Sequence, residues 1–404
     1  MKSRVFFATS GLVGTNAGAT SRRGLGMGDT YLAITPGTFE IWRAAGRLSN
    51  LFVKIALNSL DVTATIAILK NGSAGNQSIS VGAGLTGEFY DSVNHDTVAS
   101  GDSLIALLTS SAGTGTIFIG ALGVVFTATT NLSVYVATLG LSRLSDGAGA
   151  DVFSAPGVTD RVTTEANAQI RIPSAGVMKN LFWRFTANTN SSAETVISRI
   201  NGVDGALSLS IPATTTGNFE DITNSDTLAA NDLYGLRITR TGASGAAWGG
   251  GALTTNFEST DGFFFFGGGV VSGQLLSDGL TRYFLNFEPR TLEADQQYRL
   301  FNSHTFDKLR LYILTNAATS PSTFDLRKNE ASTALTISIG AGLTGAFTDD
   351  TNSVSGIAGD RIIMRSVNGG GGSLTYGSYT MRVEAAAGAI LLPPQFGFHP
   401  LNMI

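Results

Sequence analysis

The sequence contains no cysteine, which excludes disulfides, thiolate metal sites and cysteine nucleophiles. Histidine is scarce: His95, His304 and His399 stand apart from one another and from any carboxylate pair, and read as surface or core residues rather than ligands. Charged residues make up 14% of the chain and the formal net charge is −4, too little charge for a disordered tail. Lys and Arg are scattered without a basic stripe, so a nucleic-acid partner is not expected. No apolar run approaches the length needed to span a bilayer, and no membrane partner is expected. A phosphate loop and a dinucleotide fingerprint are also missing. The opening MKSRVFFATSGLVGTNAGA is a poor secretion leader, because Thr, Ser and Gly interrupt its short apolar part.

What the chain does contain is 50 glycines and abundant Ser, Thr, Asn and Ala, the composition of tight turns between short strands. It also contains itself three times. The segment Asn201 to Asp232 has an earlier copy from Asn71 to Asp102 and a later one from Asn329 to Asp360. Each copy places a Gly (Gly87, Gly217, Gly345), a Phe (Phe89, Phe219, Phe347), an Asp (Asp91, Asp221, Asp349) and an Asn (Asn94, Asn224, Asn352) in one frame without insertion or deletion. Upstream, Leu51, Leu181 and Leu309 keep the same step, and Arg43, Arg171 and Arg299 nearly keep it, with a two-residue difference in the first copy. A frame held this strictly implies three tandem domains of one fold.

Within the frame, Ile79 and Val81 alternate with Ser78 and Ser80, and the later copies do the same with Leu209 and Ile211, then Ile337 and Ile339, which marks a half-buried strand. Further strands are expected at Tyr31–Ile34, Leu51–Ile55 and Val62–Leu69. The Thr-Gly-x-Phe step reads as a turn with an inward-facing Phe, and the Asp and Asn that follow as a loop shaped by side-chain bonds to nearby amides. About seven or eight short strands per repeat, with no convincing helix, give an all-β chain of three tandem antiparallel β-sandwiches, with a jelly roll as the expected topology. The divisions expected are an N-terminal arm at 1–27 and repeats at 28–145, 146–275 and 276–404, the last with an apolar, proline-broken tail. Phe263 to Phe266, followed by three glycines, is either a buried strand entering a hinge or an apolar contact surface.

The repeats weigh on three chemical readings. Gly101-Asp102-Ser103-Leu104 spells a lipase/esterase motif, but the same register carries Asn231-Asp232-Leu233-Tyr234 and Gly359-Asp360-Arg361-Ile362. The Asp-x-x-His partner that such a hydrolase needs is also missing, since Phe396 precedes His399 in that place. Asp221, Asn224, Asp226 and Asp232 offer oxygens to a hard cation, but Val354 breaks the set in the last copy, so loop-shaping bonds are the stronger reading. Arg43, Arg171 and Arg299 are candidates to line a threefold axis, against the simpler reading of arginines lying along strand surfaces. No catalytic residue, cofactor or metal is expected.

The pattern from Lys70-Asn71-Gly72 to Gly101-Asp102, repeated from Ile200-Asn201-Gly202 to Asn231-Asp232, resembles repeats in virion structural proteins of tailed bacteriophages. The third copy departs with Glu330 in place of Gly, and the second with Asn231. The resemblance implies trimer-type jelly rolls of capsid decoration proteins, head fibres or tail-fibre tips. It also implies a non-enzymatic virion protein assembled in the host cytoplasm, with capsid or tail proteins as partners through the termini. A receptor- or glycan-binding fibre or adhesin module is the alternative, although Trp42, Trp183 and Trp248 fall at different places in the repeats. A hydrolase acting on host polysaccharide lacks a repeated carboxylate pair. Three similar domains can close a pseudo-threefold ring or extend as a string.

Overall fold

A computed structural model describes residues 3–8, 14–23, 40–129, 132–137, 151–155, 162–239, 248–259, 264–276, 279–284 and 291–385. The expected strand at Tyr31–Ile34 and the apolar tail lie outside the described residues. The described chain is all-β apart from two 3₁₀ turns, Glu165–Asn167 and Glu293–Asp295.

Six antiparallel sheets form three sandwiches. In the second module, one sheet runs in the order Leu132–Ala137, Trp248–Ser259, Gly176–Asn188, Gly217–Leu228. The facing sheet runs Val152–Ser154, Leu233–Thr239, Glu194–Ile200, Val203–Ile211. Successive strands thus alternate between sheets except where a hairpin links neighbours, which is jelly-roll order. The first module repeats it with Ser3–Ala8, Thr116–Ala128, Gly46–Asn58, Gly87–Val98 against Thr20–Arg23, Ser103–Ser110, Ala64–Lys70, Ser73–Val81. The third repeats it with Phe264–Leu276, Leu374–Ala385, His304–Asn316, Gly345–Gly356 against Thr281–Phe284, Arg361–Val367, Ser322–Lys328, Ala331–Ile339.

This pairing moves the expected seams. Ser3–Ala8 pairs with Thr116–Ala128 and Thr20–Arg23 with Ser103–Ser110, so 1–27 supplies strands to both sheets of the first module instead of forming an arm. Leu132–Ala137 pairs with Trp248–Ser259, and Phe264–Leu276 with Leu374–Ala385, so the second and third modules begin before 146 and 276. Gly267 to Gly269 continue a strand and do not form a hinge.

The alternation read from sequence is what buries each core. In the three strands Ser73–Val81, Val203–Ile211 and Ala331–Ile339 the same positions face inward, among them Ile79 and Val81, Leu209 and Ile211, Ile337 and Ile339. Trp42 and Trp183, both fully buried, anchor the first two cores. Each such side chain contributes roughly 1.5–3 kcal/mol of burial, so the pattern by itself selects the face. Phe89, Phe219 and Phe347 each lie half-buried against their own module's core. They sit inside strands that begin at Gly87, Gly217 and Gly345, not in the expected turn.

Candidate functional site: repeated clasps and the seams between modules

The Asp-x-x-Asn step is a strand bulge, not a loop. Ser49 pairs with His95 but Leu51 with Asp91, so the strand carrying Asp91 bulges over the residues between; the later modules bulge at Asp221 and Asp349. One carboxylate oxygen of Asp91 accepts from the amides of Val93 (3.1 Å) and Asn94 (3.0 Å), holding the bulge closed. The other accepts from the amide of Ser78 (3.0 Å), on the edge strand of the facing sheet, and from Asn94 Nδ2 (3.0 Å). Asp221 takes Thr223, Asn224 and Ser208, and Asp349 takes Thr351, Asn352 and Thr336, in the same way. Burial pushes all three carboxyls up, but the convergent N–H donors outweigh it and hold them below the usual range.

A second clasp joins Asn71, Asn201 and Asn329 to Asp102, Asp232 and Asp360. Each Asn donates its Nδ2 to the Asp (2.7, 2.8 and 2.8 Å), while its Oδ1 accepts the amide of the residue following that Asp. The Asn opens a two-residue hairpin at positive φ, with Gly72, Gly202 or Glu330 completing it. A third clasp went unread in the sequence. Asn58, Asn188 and Asn316 each donate to two carbonyls of the neighbouring loop, Gly82 and Leu85 in the first module. Their equal step in the three copies was the signal available.

These geometries bear on the chemical readings. The Ser103 hydroxyl donates to Asn71 Oδ1 (3.3 Å), and Asp102 belongs to the clasp. His95 is exposed, His304 is buried with Nδ1 2.9 Å from the Asn302 carbonyl, and His399 lies outside the described residues. Among the described residues no group of three or more His, Asp or Glu side chains comes together to hold a metal. Asp226 is buried, and its Oδ1 accepts the amide of Ala206 (2.6 Å). With Trp42 and Trp183 inside the cores, neither offers a platform to a sugar ring.

The surfaces on which the modules meet form three seams of one design. In the first module Trp42 exchanges backbone bonds with Asp102 and Gly101; Ile172 and Leu300 do the same with Asp232 and Asn231, and with Asp360 and Gly359. The equivalents of Arg171 and Arg299 are therefore Ile41, not Arg43, and the strand pairing agrees, since Ile41, Arg171 and Arg299 face Ser103, Leu233 and Arg361. The two-residue offset in the sequence was a change of site. Among the contacts of the described residues, the three guanidiniums do not meet at an axis. Each lies at a seam.

At each seam, this short segment of one module lies on the first sheet of the next. Thr254 Oγ1 donates to the Ile41 carbonyl and Asn256 Nδ2 to the Arg43 carbonyl, docking module one on module two. Arg43 lies over the Phe182 ring, 4.9 Å from its centroid, and pairs with Glu220 at 2.8 Å. Thr380 and Ser378 donate to the carbonyls of Arg171 and Gln169, docking two on three. Module three then docks on module one. Phe52 meets Tyr298 and Phe301 edge-on, with centroids at 5.2 and 6.1 Å, and Phe301 meets Tyr90 at 5.7 Å. Glu88 receives Arg361 through both oxygens and also faces Arg299 (3.6 Å) and Lys54 (3.9 Å). Burial raises the Glu88 carboxyl, yet these cations win and hold it below the usual range. Phe52, Ala121 and Val125 of the first module are continuous with the third module's core. The contacts run one to two, two to three and three to one, which closes a ring with pseudo-threefold symmetry.

The chain is thus an all-β protein of three tandem jelly rolls closed on themselves. No known family's sequence profile matches it, and no curated protein matches it. Among solved structures it is similar to one described as the triple jelly roll fold and turret assembly in an archaeal virus, at 13% identity and a TM-score of 0.20, covering 94% of this chain and 90% of that one. It is also similar to a structure of PNGF-II, at 8% identity and a TM-score of 0.19, covering 80% and 98%. At these scores neither likeness carries an argument, and the fold rests on the strand order itself.

Proposed function

We propose that this chain is a non-enzymatic structural protein of a virus particle, and more specifically that it decorates or cements the capsid of a tailed bacteriophage or builds part of its tail appendage. The observation that supports this most is ring closure: polar and charged side chains are spent on clasps and seams, where they fix position. Asp91, Asp221 and Asp349 have their oxygens filled by amide donors, and Glu88 is enclosed by three cations. A single-chain pseudo-trimer is suited to seat on a site of threefold or near-threefold symmetry, such as a shell presents. Assembly would occur in the host cytoplasm, with other virion proteins as partners through the termini. The test is to raise antibodies against the purified chain and label particles produced by cells that express its gene. Gold at fixed positions on intact particles supports the proposal; particles free of the protein overturn it. A glycan array addresses the alternative, a receptor- or glycan-binding fibre module, for which specific sugar binding is the required result.

A further inference from the structure

The three seams use equivalent positions but fill them differently. Phe52 at the third seam and Phe182 at the first occupy the position that Arg310 takes at the second, each one residue beyond Leu51, Leu181 or Leu309. The residues lying over them are Phe301 and Arg43, and their equivalent at the second seam is Pro173. An aromatic ring thus packs two seams. At the second a thin guanidinium stem and a proline take its place, and a cavity of about 90 Å³ opens there. Arg171, Arg310, Leu311, Tyr312, Ser378 and Thr380 are among the residues that line it.

The charges around this cavity do not balance. Arg310 is 3% exposed; it pairs with Asp350, half of which faces solvent, and its Nε donates to Asn231 Oδ1 at 3.1 Å. Arg171 donates Nη1 to the Asn231 carbonyl at 3.1 Å and has no carboxylate in ion-pair range among the described residues. Among the described residues two guanidiniums therefore face one carboxylate, beside the partly buried Leu233. Ser378 and Thr380 donate their protons to backbone carbonyls across the seam, which turns their oxygens into acceptors and leaves the arginines as donors. We infer that the second seam binds a small free carboxylate anion with a short aliphatic body, its oxygens on Arg171 and its carbon chain against Leu233. The cavity of about 90 Å³ has room for an anion of propionate size.

Thermal unfolding of the full chain at constant ionic strength tests this, with sodium propionate, acetate, sulfate or chloride as the salt. Propionate is expected to raise the midpoint by roughly 1–3 °C over chloride in a saturable manner and acetate by less, whereas sulfate should give only the non-saturating rise that its exclusion from protein surfaces gives any fold. Arg171→Met and Arg310→Phe should each abolish the response. Arg310→Phe should keep or raise the midpoint in chloride, since a ring fills that position at the other seams. A blocked glutamate dipeptide, carrying the same group on a body too bulky for the cavity, should have no effect. The inference falls if all salts act alike, if the sulfate response saturates as that of propionate does, if Arg310→Phe still responds, or if the dipeptide acts as strongly as the free anion.

Discussion

Asp91, Asp221 and Asp349 each hold the amides of a bulge and of the facing sheet at once, so removing one carboxylate takes the acceptor from several amides together. Asp221→Ala is expected to cost roughly 2–3 kcal/mol, measured by urea unfolding, because the Ser208, Thr223 and Asn224 amides lose their acceptor. Protonation does the same by another route. These three groups, together with Asp102, Asp360 and Glu88, have folded pKa values below their unfolded ones. Their contribution is therefore full above the unfolded carboxylate range and is lost as pH falls through the lower folded values. The unfolding midpoint should be flat above about pH 5 and fall increasingly below about pH 4; a midpoint that held steady to pH 2 would contradict this. At the hairpin, Glu330 sits at φ +67° where the other copies have Gly. Glu330→Gly should stabilise by about 1 kcal/mol in the same assay, since the αL cost of the side chain outweighs its exposed Coulombic attraction to Arg361.

At the scale of elements, the alternation at Ile79 and Val81 and its two copies was readable because period two has one structural meaning. The Asp and Asn were read as loop residues for a sound local reason, since both types bond nearby amides. What local chemistry could not say is that those amides belong to a bulge inside a strand, held across the sandwich by Ser78. The strands that open the first two modules are not legible because their partners lie far downstream, and at the third the strand reading of Phe263 to Phe266 stops short of the glycines that continue it. The bulged strand Thr116–Ala128 shows how an element meets a seam. A Cβ added at Gly120 would lie 1.8 Å from the Asp295 carbonyl oxygen of the third module. Gly120→Val should therefore open the third seam while leaving the first module's core intact, seen as an enlarged radius of gyration with unchanged far-UV circular dichroism.

For the whole molecule, ring closure makes the seam between the first and last modules the one that no linker holds together. Among the described residues it is also the one where apolar contact is continuous with a core, through Phe52, and where Phe301 and the Glu88 cluster meet across the seam. Small-angle scattering should give a radius of gyration of about 22 Å for the closed chain. A markedly larger value, as three modules in a row require, would overturn the ring.

The sequence alone determined that one module is written three times, that each is a β-sandwich, and which residues turn inward, because periodicity and repeat register are properties of the chain. Tertiary structure decided the bulge, the clasp across sheets, the true equivalents of Arg171 and Arg299, and the closing of the ring. Those depend on which distant surfaces come within hydrogen-bond reach, and nothing in a local run of residues encodes that distance.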